Sequence, residues 1–210
     1  ISDKSWSASQ EGPLGLNDLM QGECYDARKE NICEWHPVTE KQFGYENLVC
    51  SNSFDVVEKE NFTGKQIHTP NGEVVIDFGQ NIAGYVKFGF YAQAGQCITL
   101  YHGECLDQNG NFTQENFQAP EHRVEQCVKY ICKEGWNEYK PEKSIFGFRY
   151  IKAITDVKVT EKNFTAIAVY SDMPQTGKFE CGHPGINQLF SNAVWSMKGN
   201  FLEIPTDCPT

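Results

Sequence analysis

The chain has 210 residues, with 18 Lys and Arg against 28 Asp and Glu, for a formal charge of −10. That balance excludes a nucleic-acid binder, which needs clustered basic residues to displace counterions from phosphates. Hydrophobic residues at 40% and aromatics at 13% exclude a disordered chain, and no apolar run approaches the roughly 20 residues of a membrane-spanning helix.

Residues 1–50 read as strands and loops punctuated by Gly12-Pro13 and Gly22, with bulk from Trp6, Tyr25 and Trp35. They are expected to be the tail of an N-terminal β-domain. The chain begins Ile1-Ser2-Asp3 without an initiator Met, so its natural start is expected upstream. Residues 51–174 read as an antiparallel β-sandwich or jelly-roll-like domain. Asn71-Gly72 is a strong hairpin signal before Glu73-Val-Val-Ile-Asp-Phe78. The alternating segments 85–90 and 97–101 follow, and Asn109-Gly110 marks a second tight turn. Residues 123–130, 146–151 and 166–170 complete the predicted strands.

The pattern then changes. Ile186, Leu189, Phe190, Ala193, Val194 and Met197 recur at i, i+3, i+4, i+7, i+8 and i+11, one face of a helix. Pro184 suits the first turn and Gly199-Asn200 a C-terminal stop, so the spacing predicts a helix over 184–198. A lone amphipathic helix leaves its stripe uncovered, and burial of each large apolar side chain is worth about 1.5–3 kcal/mol. The stripe is therefore expected to pack on the sandwich, to drive self-association through 184–198, or to leave the helix to fray. The three segments are thus 1–50, 51–174 and 175–210.

Most chemistry-bearing residues have ordinary explanations. Glu104 and Asp107 sit where a strand runs into the Asn109-Gly110 turn. Asp107–Asn111 resembles a calcium loop, but its glycine is fourth and Gln118 occupies position 12, where an EF-hand needs glycine sixth and a Glu at 12. The carboxylates Glu23 and Asp26 read as solvated or salt-bridged. Histidines 36, 68, 102, 122 and 183 are scattered, with no metal-ligand spacing, and no cofactor motif is present. Nine cysteines without a CxxC are expected to be reduced, buried small hydrophobes, which favours a reducing, cytoplasmic setting. The sequons at Asn61, Asn111 and Asn163 are read as chance.

The end of the chain is the most informative part. Pro205 and Pro209 flank Thr206-Asp207-Cys208 and enforce an extended, fixed backbone, a good mount for a carboxylate. Asn200-Phe-Leu-Glu-Ile-Pro-Thr-Asp-Cys-Pro-Thr210 closely resembles the signature loop of bacterial α-L-rhamnosidases, glycoside hydrolase family 78. So does Gly177-Lys-Phe-Glu-Cys181 with Asn187 and Trp195-Ser-Met-Lys-Gly-Asn200. Ile76-Asp-Phe-Gly-Gln-Asn-Ile-Ala-Gly-Tyr85, Gly103-Glu-Cys-Leu-Asp107 and Gly147-Phe-Arg-Tyr150 resemble that family's β-domain, and Gly22-Glu-Cys-Tyr-Asp-Ala-Arg28 the end of its N-terminal β-domain. The resemblance covers almost the whole chain in order.

It implies that the helix at 184–198 is the first of a catalytic (α/α)6 barrel, truncated here. It implies inverting hydrolysis of rhamnose-containing glycosides or oligosaccharides, with Asp207 contacting the rhamnose. The general acid and base are expected beyond Thr210, so no catalytic residue, metal or cofactor is assigned within the chain. The competing reading is a stand-alone carbohydrate-binding or structural β-sandwich module, which predicts exposed aromatics on a sandwich face and no barrel helix.

Overall fold

The structure, a computed structural model, describes residues 3–41, 43–117 and 124–206. The described strands are β1 (Ser7–Ala8), β2 (Leu14–Asp18), β3 (Gly22–Asp26), β4 (His36–Pro37), β5 (Val56–Thr63), β6 (Lys65–His68), β7 (Val74–Ala92), β8 (Cys97–Gly103), β9 (Cys127–Ile131), β10 (Gly135–Tyr139), β11 (Phe146–Thr155) and β12 (Phe164–Ser171). Helix α1 (Pro184–Asn200) and a small hairpin, β13 (Phe201–Leu202) and β14 (Ile204–Pro205), close the chain.

A ten-stranded sheet runs β2-β3-β9-β8-β11-β7-β12-β5, with β6 and β10 also on β7. The spine is β7. The sequence reads it as two segments, 73–78 and 85–90. Instead one strand runs through 19 residues, with Gly79 at φ +78°. Asp77 holds this irregular stretch. Its carboxylate accepts the Gly79 N–H at 2.7 Å and the Arg149 Nε–H and Nη2–H at 2.8 Å each. Arg149 sits where the register of β11 shifts against β7, so the bidentate pair joins two irregular stretches. Burial would raise the Asp77 pKa, but Arg149 and Gly79 outweigh it and hold the carboxyl below its usual range. Further along β7, a Cβ on Gly84 would collide with the Ile167 carbonyl of β12, so only glycine lets these strands approach.

The predicted turns are present. Gly72 has φ +70° and its N–H donates to the Thr69 carbonyl, reversing the chain from β6 into β7. Gly110, at φ +84°, turns the chain between the bridged Leu106 and Phe112. The sheet is mixed rather than purely antiparallel, because β3 pairs parallel with β9 from Gly22↔Cys127 to Asp26↔Ile131. Strands β2 and β3, within the first 50 residues, therefore hydrogen-bond into the sandwich sheet. The core fills the curl of the sheet with Ile76, Phe88, Leu100, Tyr130, Phe148 and Phe164.

Helix α1 extends two residues past the predicted end. Its contact with the sheet corrects the expected one. Trp195 packs its edge on Phe62 of β5, with ring centroids 5.7 Å apart, and Lys198 reaches Glu60. Trp195 lies nine residues from Ile186, half a turn out of phase at 3.6 residues per turn. The apolar stripe therefore faces away from the sheet, with Ile186 46%, Leu189 66% and Met197 56% exposed.

The cysteine expectation holds only in part. The eight described cysteines are free thiols, but only Cys127 and Cys132 are buried, while Cys50 and Cys105 are exposed. Cys208 lies outside the described residues.

Candidate functional site

The loop after α1 is a tight hairpin. Phe201 pairs with Pro205 and Leu202 with Ile204, and Glu203 at the tip has φ +73°, a left-handed conformation that is costly for a residue with a Cβ. The hairpin is held from several sides. The Glu203 N–H donates to Ser171 Oγ of β12 at 2.7 Å, and Ser51 Oγ donates to the Glu203 carboxylate at 3.2 Å. Leu202 packs on Tyr85, Ile167 and Val169. Thr206 donates through its N–H (2.8 Å) and hydroxyl (3.2 Å) to the Asn200 carbonyl at the helix end. Asp207, the residue singled out as a sugar ligand, lies outside the described residues and follows this pinned Thr206 directly in the chain.

The other end of α1 is closed by Asn187. Its side chain accepts the Cys181 N–H at 2.9 Å and donates to the Cys181 carbonyl at 2.8 Å, and Phe179 meets Phe190 at 5.6 Å. These contacts give a physical reason for the Gly177–Cys181 and Asn187 pattern.

The remaining sequence candidates have structural partners. Glu104 accepts hydrogen bonds from the Asn81 and Asn116 amides. Asp107 accepts the Asn109 and Asn111 N–H groups of its own turn. Asp26 is bidentate with Arg28. Glu23 is not solvated, as the sequence suggested, but buried. It accepts the Tyr139 hydroxyl at 2.6 Å and the Lys143 and Ser144 N–H groups at 2.8 Å each. No group of metal-ligating side chains forms among the described residues.

His102 is a second titratable group that the sequence undervalued. It is fully buried against Phe146 and Phe148. Its Nδ1 lies 3.0 Å from the Gln126 carbonyl, which can only accept, so Nδ1 carries the proton. Nε2 is buried without a hydrogen-bond partner. Burial pushes the imidazole pKa down to about 4, against the opposing Gln126 contact, whereas an unfolded histidine titrates near about 6.5. Between those values the unfolded chain binds a proton that the folded chain refuses. Stability is therefore fully present above pH ~6.5 and falls as pH drops toward ~4, by up to about 3 kcal/mol from this group. Urea midpoints at pH 7 and pH 4.5 check this: the pH-dependent loss is expected to be smaller in His102→Gln than in the wild type.

Two family models match the chain in succession. The bacterial α-L-rhamnosidase concanavalin-like domain matches residues 67–170, and the bacterial α-L-rhamnosidase six-hairpin glycosidase domain matches residues 174–210. The chain belongs to the bacterial α-L-rhamnosidase family. An α-L-rhamnosidase of Formosa agariphila is 30% identical over all of this chain, which covers 24% of that relative. The crystal structure of native α-L-rhamnosidase from Aspergillus terreus superposes with a TM-score of 0.85 at 33% identity, over 100% of this chain and 25% of that one. The α-L-rhamnosidase of Streptomyces avermitilis, solved with L-rhamnose, gives 0.86 at 30% identity, over 100% and 21%. The chain thus spans about a quarter of the length of these rhamnosidases. The seam between the two matched rhamnosidase domains falls at 171–173, where β12 ends.

Proposed function

We propose that this chain is the accessory β-sandwich and first barrel helix of an inverting α-L-rhamnosidase that releases terminal α-L-rhamnose from glycosides or oligosaccharides. The observation that carries the reading is the succession of two rhamnosidase domain matches, with the second running into the pinned hairpin before Asp207. In this reading residues 1–50 end a preceding β-domain and lend β2 and β3 to the sheet. Residues 51–174 form the sandwich and 175–210 open the helical barrel. Asp207 holds the rhamnose ring. A carboxylic acid beyond Thr210 protonates the glycosidic oxygen, while a second carboxylate activates water on the opposite ring face.

The exposed side chains of Ile186, Leu189 and Met197 support one more proposal: residues 1–210 alone self-associate through α1. A single preparation of residues 1–210 tests both ideas. Release of p-nitrophenol from p-nitrophenyl α-L-rhamnoside is expected to stay at the buffer rate, and turnover above it would end the assignment of the proton-transfer groups beyond Thr210. Sedimentation should show mass rising with concentration, and a monomer at every concentration would end the self-association.

A further inference from the structure

Helix α1 has no fully buried residue. It is held to the sheet near its C-terminal end, where the hairpin begins. There Lys198 Nζ donates to Glu60 Oε1 of β5 at 2.6 Å. The Tyr170 hydroxyl of β12 reaches the same carboxylate at 2.9 and 2.8 Å. The Lys198 ammonium also lies 4.2 Å from the Trp195 ring centroid and 5.2 Å from that of Tyr170, so its position is fixed by two rings as well as by the carboxylate. Ser171, next to Tyr170, accepts the Glu203 N–H.

We propose that Glu60, Tyr170 and Lys198 form a latch by which the accessory sandwich positions the rhamnose-binding loop. The proposal rests on the reading that Asp207 contacts the sugar. The geometry connects the two. Thr206 is tied by two hydrogen bonds to the carbonyl of Asn200, two residues past Lys198, so a shift of the helix end carries Thr206 with it. Asp207 is the next residue in the chain. Glu60, Tyr170 and Lys198 are positioning residues, because they act through the hairpin and not on the substrate.

Breaking the latch leaves the loop to be ordered when substrate binds. That cost falls on ground state and transition state alike, so it raises KM and spares kcat. In the full-length enzyme, Glu60→Gln and Lys198→Met are each expected to raise KM for p-nitrophenyl α-L-rhamnoside by about tenfold with kcat within about twofold. Lys198→Arg keeps a cation over Trp195 and should restore most of the KM. If Lys198→Met does not fold, Ser171→Ala, which removes only the acceptor of the Glu203 N–H, should still raise KM. Wild-type KM in the folded latch variants, with only a lower melting temperature, would overturn the latch. Asp207→Asn in the same enzyme separates the two ideas. If it impairs turnover while the latch variants behave as wild type, only the latch falls. If it changes nothing, the reading of the loop fails and the latch with it.

Discussion

Replacing Asp207 by Asn in the full-length enzyme is expected to lower kcat/KM by at least about tenfold, and toward a hundredfold. The substitution keeps the size of the side chain but removes its charge and puts an amide donor where the sugar hydroxyls need an acceptor. A charge-assisted hydrogen bond is worth about 1.5–3 kcal/mol, and each 1.36 kcal/mol is about tenfold in rate. The grip should tighten as the ring flattens toward an oxocarbenium-like transition state. A loop-capping role for Asp207 makes the opposite forecast: a lower melting temperature with nearly intact activity per folded molecule. Both quantities measured on one preparation decide, and an unchanged kcat/KM would remove the substrate-binding assignment.

The largest loss of stability is expected from Glu23→Ala. The Glu23 side chain is buried and takes three hydrogen bonds, from the Tyr139 hydroxyl and from the Lys143 and Ser144 N–H groups. Alanine leaves all three donors without their acceptor and opens a cavity. Each buried unsatisfied group costs about 1–3 kcal/mol, so a loss of at least about 3 kcal/mol is expected, a large share of the about 5–15 kcal/mol that stabilises a typical domain. Glu23→Gln retains an oxygen for both N–H groups and an amide for the tyrosine oxygen, and should lose far less. Denaturant midpoints of the two variants test the mechanism: equal losses would mean that the hydrogen bonds carry little of the stability.

The legible parts of this fold are those with local causes. Asn71-Gly72 and Asn109-Gly110 are turns because glycine takes the positive φ seen at Gly72 and Gly110, and the helix follows from the spacing of Ile186 through Met197. What was not legible depends on distant partners. Segments 73–78 and 85–90 look like separate strands until Arg149 binds Asp77 across the sheet and one strand runs through both. Glu23 looks solvated until Tyr139 and the 143–144 backbone close over it. The helix period marks the right stripe but not the face that meets the sheet, because Trp195 and Lys198 are matched to Phe62 and Glu60 on β5. Asp207 carries no local signal beyond its flanking prolines, and the role proposed for it rests on likeness to a family.

The parallel pairing of β3 with β9 bears on how the molecule is made. Gly22 meets Cys127, roughly a hundred residues later, and synthesis at about 5–20 residues per second puts about 5–20 s between their appearances at the ribosome. Throughout that interval Glu23, Cys24 and Tyr25 can pair only with β2, on one edge of their strand. The growing chain can close the turn from β6 into β7 early, but the sandwich cannot seal around Glu23 until β9 and the 139–144 loop have emerged. This edge of the sheet is where a pause in translation or a holding chaperone would have most to protect.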